Sequence, residues 1–265
     1  MRADPARPFT AIILAAQRGG EVSEMAAEAG VSHKCLMPIA GRPLIEYVLE
    51  ALWAVPGLER VRICIEPEAF DPVRQVKGAG RAEFVASAET ITESAYASAE
   101  GVDGPIVITT GDNVNLTPGA VQQILDALSD GAEAVLALAT RSAVHAAHPE
   151  GQRRFYELSD DAYSNCNLYA LGGADALKAA EAFRGGGQFA KSRRRMIEAF
   201  GLVNILLFRF RLLSLKGAMR RLSRRFGVRL EAVVLADGAH AIDVDNARTY
   251  RIAEEILRRK AGESA

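Results

Sequence analysis

Three aspartates and one lysine have the residue types from which a phosphate-handling centre is built. Asp112 comes straight after the apolar, β-branched run Ile106 to Thr110 and Gly111. A lone carboxylate there sits at the carboxyl edge of a sheet, where open α/β folds take their ligands. Its hard oxygens suit Mg2+ bridging phosphate oxygens. Asp243 and Asp245 lie two residues apart, just before the last helical segment, and on extended chain their side chains point the same way. Lys34 supplies the positive charge that a transferring phosphoryl group requires, because such reactions are mostly positioning plus electrostatics. A second source of contacts is Leu14, Ala15, Ala16, Gln17, Arg18 and Gly19. Small residues after a buried strand let backbone N–H groups approach phosphate oxygens. Together these residues point to a nucleotide site.

The elements that position them follow from hydrophobic patterning. Phe9 to Ala15, Val61 to Ile65, Ala82 to Ala86, Ile106 to Thr110 and Ala134 to Ala139 read as strands, and Glu21 to Ser32 as a small-residue loop. Helices are expected over 43–54, 92–100 and 117–128, with Pro43 and Pro118 near their starts. This alternation predicts a Rossmann-like α/β fold, a mostly parallel mixed sheet with helices on both faces. From Arg141 the rhythm changes. Arg153 to Leu158 and Tyr163 to Ala170 read as strands around an acidic turn, followed by helices at 174–184, 189–212 and 214–226. A strand at 229–235 and a helix at 247–260, capped by Asn246, close the chain. One domain over 1–265 is expected, with a core of 9–140 plus 229–260 and an acceptor-side elaboration at 141–228.

Composition narrows the function classes. The 265 residues carry a net charge of −1, so no bulk pull toward nucleic acid is expected. Apolar content of 49% and charged content of 25% are those of a soluble globular chain. Cys35, Cys64 and Cys166 form no C-x-x-C pair, which predicts a reduced, disulfide-free, cytoplasmic protein. No transmembrane run and no signal peptide are read from the sequence. Residues 191–229 hold twelve Lys or Arg against Glu198 alone. That tract reads as a solvated helical face, as a surface for anionic lipid peripheral to the inner membrane, or as a wall attracting a phosphorylated acceptor.

The stretch L-A-A-x-x-G, followed by Lys34-Cys-Leu-Met-Pro-Ile-Ala-Gly-Arg-Pro-Leu44, resembles the signature of GT-A-fold nucleotidyltransferases of the molybdenum-cofactor guanylyltransferase-like group. Gln17 stands where that group has its first glycine, and Glu21 where it has an arginine, with Arg18 as a shifted cation. The resemblance implies that Asp112 and Asp245, with Asp243 beside them, hold Mg2+. It implies that Lys34 is catalytic and contacts the triphosphate, together with the 14–19 loop and Gly111. It also implies that Thr92 and Ser94 approach base or ribose and that Asn165 and Asn167 face the acceptor. Asparagines are unfavourable in strands, so this pair on one strand invites such a reason. Arg153 and Arg154 are the expected acceptor-phosphate contacts.

The activity expected from the resemblance is transfer of NMP from an NTP, with CTP favoured, to a small phosphate monoester such as phosphoglycerate, with release of pyrophosphate. The middle of the chain is similar to a bacterial subgroup linked to CDP-alcohol lipid metabolism. Guanylyl or uridylyl transfer to a cofactor or sugar phosphate, glycosyl transfer on the same fold, and a non-catalytic nucleotide-binding or membrane-associated role stay open. The sequence does not fix an oligomeric state.

Overall fold

The structure, a computed structural model, describes residues 7–17, 23–177 and 202–262. Strand β1 (Phe9–Leu14) is buried on both sides. Phe9, Ala11 and Ile13 enter one apolar core and Ile12 the other, all at most 1% exposed. A strand covered on both faces needs a continuous apolar run rather than an alternating one, and F-T-A-I-I-L is such a run.

Helix α1 (Glu24–Glu28) follows, then a small hairpin, β2 (Pro38–Ile39) and β3 (Arg42–Pro43). Ala40 and Gly41 turn the hairpin, with φ of 44° and 79°.

 Helix α2 (Leu44–Trp53) then buries Ile45, Val48, Leu49 and Leu52 in the core that holds Phe9, Ala11 and Ile13, and Leu44 in a smaller cluster with Met37 and Ile39.

Strand β4 (Leu58–Ile65), helix α3 (Phe70–Arg74), strand β5 (Glu83–Ala86), helix α4 (Ile91–Ala99) and strand β6 (Ile106–Thr110) continue the alternation. Helix α5 (Pro118–Ser129), strand β7 (Ala134–Thr140) and helix α6 (Arg141–Ala147) follow. Next come β8 (Tyr156–Glu157), β9 (Ala162–Leu171), helix α7 (Leu202–Arg209), helix α8 (Leu215–Phe226), β10 (Leu230–Leu235) and helix α9 (Ala247–Lys260).

The sheet order is β10-β7-β9-β6-β1-β4-β5, with β8 on β9. The pairs β1–β4, β1–β6, β4–β5 and β7–β10 are parallel, and β9 is antiparallel to both neighbours. The fold is therefore the mostly parallel mixed sheet expected, with α4 on one face and α2 and α5 on the other. Because β1, β4 and β6 are parallel, the segments after Leu14, Ile65 and Thr110 leave the sheet at one edge.

Several boundaries differ from the sequence reading. Helices α3 and α6 were not expected; both are short, and each buries one residue, Val73 and Val144. The strand expected over 153–158 shrinks to Tyr156–Glu157, so Arg153 and Arg154 precede it. Of the helix expected at 174–184, residues 174–177 form a 3-10 turn and the rest lies outside the described residues. The same holds for the first part of the 189–212 segment, including Lys191, Arg193, Arg194 and Arg195. Helix α8 buries none of its residues. Among the described residues, no helix is long and apolar enough to cross a membrane.

A 3-10 turn, Gly238–Ala241, packs under α6 and leads the chain toward Asp243. A Cβ on Gly238 would lie 2.2 Å from backbone atoms of Ala143 and Val144. Backbone cannot yield as a flexible side chain does, so Gly238→Ala is expected to cost about 3 kcal/mol of stability. A urea titration followed by circular dichroism checks this; an unchanged midpoint would contradict the packing described.

Candidate active site

Lys34 reaches between two carboxylates from distant parts of the chain. Its Nζ donates to Asp112 Oδ2 at 2.5 Å and to Asp245 Oδ1 at 3.1 Å. The Lys34 and Asp112 side chains are 25% and 15% exposed, that of Asp245 60%. Burial works against the Lys34 charge, but the two carboxylates outweigh it and hold the ammonium above the ordinary lysine range. Lys34 therefore stays charged at neutral pH.

Local structure fixes each partner. Lys34 opens a 3-10 turn, Lys34–Leu36, whose Cys35 is buried. Gly111 packs between the two loops: a Cβ there would lie 3.1 Å from the Cβ atoms of Ala15 and Cys35. Its N–H donates to the Leu14 carbonyl at 3.0 Å. This close approach brings the segment after β6 against both the segment after β1 and the Lys34 turn. Thr110 Oγ1 donates to Asp112 Oδ1 at 2.5 Å and fixes the carboxylate's orientation. Asp245 is held by its own backbone: its N–H donates to Thr249 Oγ1 at 3.0 Å, and Asn246 caps α9 through the N–H groups of Arg248 and Thr249.

Asp243 stands behind this pair. Burial raises its carboxyl to about 7, and the neighbouring charges of Asp112 and Asp245 push the same way. Asn167 Nδ2 donates to Asp243 Oδ2 at 2.6 Å. Asn167 lies where the β7–β9 register shifts, with φ of 47°. A shift of this kind re-aims a side chain beside a site. Asn165 supports it, donating to Asn167 Oδ1 at 2.9 Å and Tyr169 Oη at 2.5 Å.

The donor set fits Mg2+. One ammonium faces three carboxylates, and hard oxygens from one or two carboxylates, completed by substrate phosphates, are what that ion takes. Among the described residues no group of three or more His, Cys, Asp or Glu could by itself hold a metal ion.

The expected nucleotide loop is only partly in view. Leu14, Ala15, Ala16 and Gln17 lie at the sheet edge, while Arg18 and Gly19 lie outside the described residues. The Gln17 side chain braces the loop: Nε2 donates to the Ser32 carbonyl at 2.9 Å, and Oε1 accepts from Ser23 N–H at 3.2 Å. Glu66 Oε1 accepts from Gln17 N–H at 2.8 Å, and Glu66 Oε2 lies 3.3 Å from His33 Nε2. Thr92 and Ser94 are buried in α4. The Ser94 hydroxyl accepts from Ala88 N–H at 2.9 Å, which gives it a bracing role in its own loop.

Beyond the carboxylates lies a cavity of about 940 Å3. Its lining joins Arg153, Arg154, Asn165, Asn167, Asp243 and Asp245, residues singled out from sequence. It also includes Arg248 and Arg251, which sequence reasoning missed. Their signal was available: α9 has no acidic residue in its first turn and carries Arg248 there, where the helix dipole disfavours a cation.

Comparison with known proteins agrees with this geometry. The MobA-like NTP transferase domain profile matches residues 11–200. The bifunctional protein GlmU of Rhizobium johnstonii is 30% identical over 137 residues, which are 49% of this chain and 28% of that protein. The chain thus matches less than a third of the length of that curated relative. A hypothetical transferase from Thermus thermophilus superposes with a TM-score of 0.77 at 27% identity, over 92% of this chain and 99% of that one. CMP:2-keto-3-deoxy-manno-octonic acid synthetase, solved with CTP, shares the fold, with a TM-score of 0.59 at 15% identity over 96% of this chain and 99% of that one.

Proposed function

Because this chain belongs to the family of MobA-like NTP transferase domains, which are nucleotidyltransferases, we propose that it moves a nucleoside monophosphate from an NTP to a small phosphate-monoester acceptor. An acceptor phosphate oxygen attacks the α-phosphorus. The bond from that phosphorus to the oxygen bridging toward the β-phosphorus breaks, and pyrophosphate leaves with the bonding pair.

The observation that carries this reading is the Lys34 ammonium, held between Asp112 and Asp245 at the sheet edge. Lys34 offsets charge on the transferring group, and the braced 14–17 segment offers backbone to the phosphates. Asp112 and Asp245 would hold Mg2+, which when bound offsets phosphate charge and polarises the phosphorus. The fold shared with the CTP-bound synthetase supports CTP as the favoured nucleotide. Arg153 and Arg154 on the cavity support a phosphorylated acceptor.

The test is a pyrophosphate-release screen crossing CTP, GTP, UTP and ATP with phosphate monoesters, with Mg2+ and with EDTA. Release from one NTP–acceptor pair, lost in EDTA, is the expected result. Silence throughout, with no nucleotide bound by calorimetry, would overturn the reading.

A further inference from the structure

Four arginines line the cavity beyond the carboxylates: Arg153 and Arg154 ahead of β8, and Arg248 and Arg251 on α9. None has a carboxylate partner among the described residues, whereas Arg42, Arg62, Arg141 and Arg229 each pair with a glutamate. Arg248 donates to the Glu150 carbonyl, and Arg251 Nε to the Ala247 carbonyl at 3.4 Å. A guanidinium has five N–H donors, so most of this capacity is open to a ligand. Asp243 and Asp245 form part of the same lining, and Asp245 contacts Lys34. An acceptor phosphate poised for attack must lie toward that side. With Arg153 and Arg154 left for that phosphate, Arg248 and Arg251 are open to whatever the phosphate is attached to, in a cavity of a size that holds a whole small molecule.

Resting on the nucleotidyl-transfer reading, we propose that the acceptor carries a second anionic group, a carboxylate or another phosphate, and that Arg248 and Arg251 bind it. Planar guanidinium forks match such oxyanions two bonds at a time. This makes the two helix residues specificity determinants for the acceptor rather than contacts for the NTP.

The experiment is calorimetry on the full chain with two probes that differ in one anion, glycerol 3-phosphate and 3-phosphoglycerate. The unaltered chain is expected to bind 3-phosphoglycerate about tenfold more tightly, and R248A/R251A to lose that preference. Arg251→Lys, which keeps the charge but loses the fork, is a second variant that disturbs the fold less and should lose part of the preference. Equal binding of the probes, binding of neither, a preference that survives in R248A/R251A, or weaker CTP binding in its place would overturn the proposal. Anion preference with no pyrophosphate release from any NTP would leave the subsite standing and remove the transfer reading. Release with singly anionic acceptors, unaffected by R248A/R251A, would do the reverse.

Discussion

Lys34→Ala is expected to lower kcat/KM for pyrophosphate release by about 10³-fold, about 4 kcal/mol of transition-state stabilisation. The ammonium does two things that alanine cannot. On the proposed reading it supplies positive charge where the triphosphate reacts, and it holds Asp112 and Asp245, which otherwise repel one another and Asp243. Lys34→Arg is expected to restore little, because the long planar fork does not fit a point midway between two carboxylates at 2.5 and 3.1 Å. Steady-state kinetics, with circular dichroism to show an intact fold, checks both variants. Full activity in Lys34→Ala would remove Lys34 from the chemistry.

Asp112→Asn is the second large effect, again about 10³-fold in turnover. The substitution keeps the shape and removes one negative charge. The asparagine amide cannot accept from both Thr110 Oγ1 and Lys34 Nζ as the two carboxylate oxygens do. Asp245→Asn should cost less, because that side chain is 60% exposed against 15% for Asp112 and water partly replaces what is lost. Calorimetry of Mg2+–CTP binding to the two variants ranks them, and equal losses would contradict the difference in burial.

Much of this site was legible because its parts sit at the ends of strongly patterned elements. The run Phe9 to Leu14 is apolar throughout, so the chain leaving it had to emerge at a sheet edge, and the same holds for Ile106 to Thr110 before Asp112. The pattern could not show that Gln17 braces its loop, since that depends on Ser23 and Ser32 folding back onto it. Nor could it show the left-handed turn of Asn167, because a register shift is a property of two strands and only one was being read. Helix α6 escaped for a related reason: Thr140 caps it, but only Val144 is buried, and one apolar residue makes no periodicity.

The two bonds of Lys34 span 78 and 211 residues of sequence. Non-local contacts of this kind form late, after the entropy of closing long loops has been overcome. As the chain emerges from synthesis, the loop, the lysine and Asp112 are present well before Asp245 and α9 arrive. An incomplete chain therefore holds Lys34 and Asp112 without the carboxylate that completes the grouping. On the proposed reading, the segment that leads into α9 is the closing piece of the catalytic arrangement, and activity reports that it has docked.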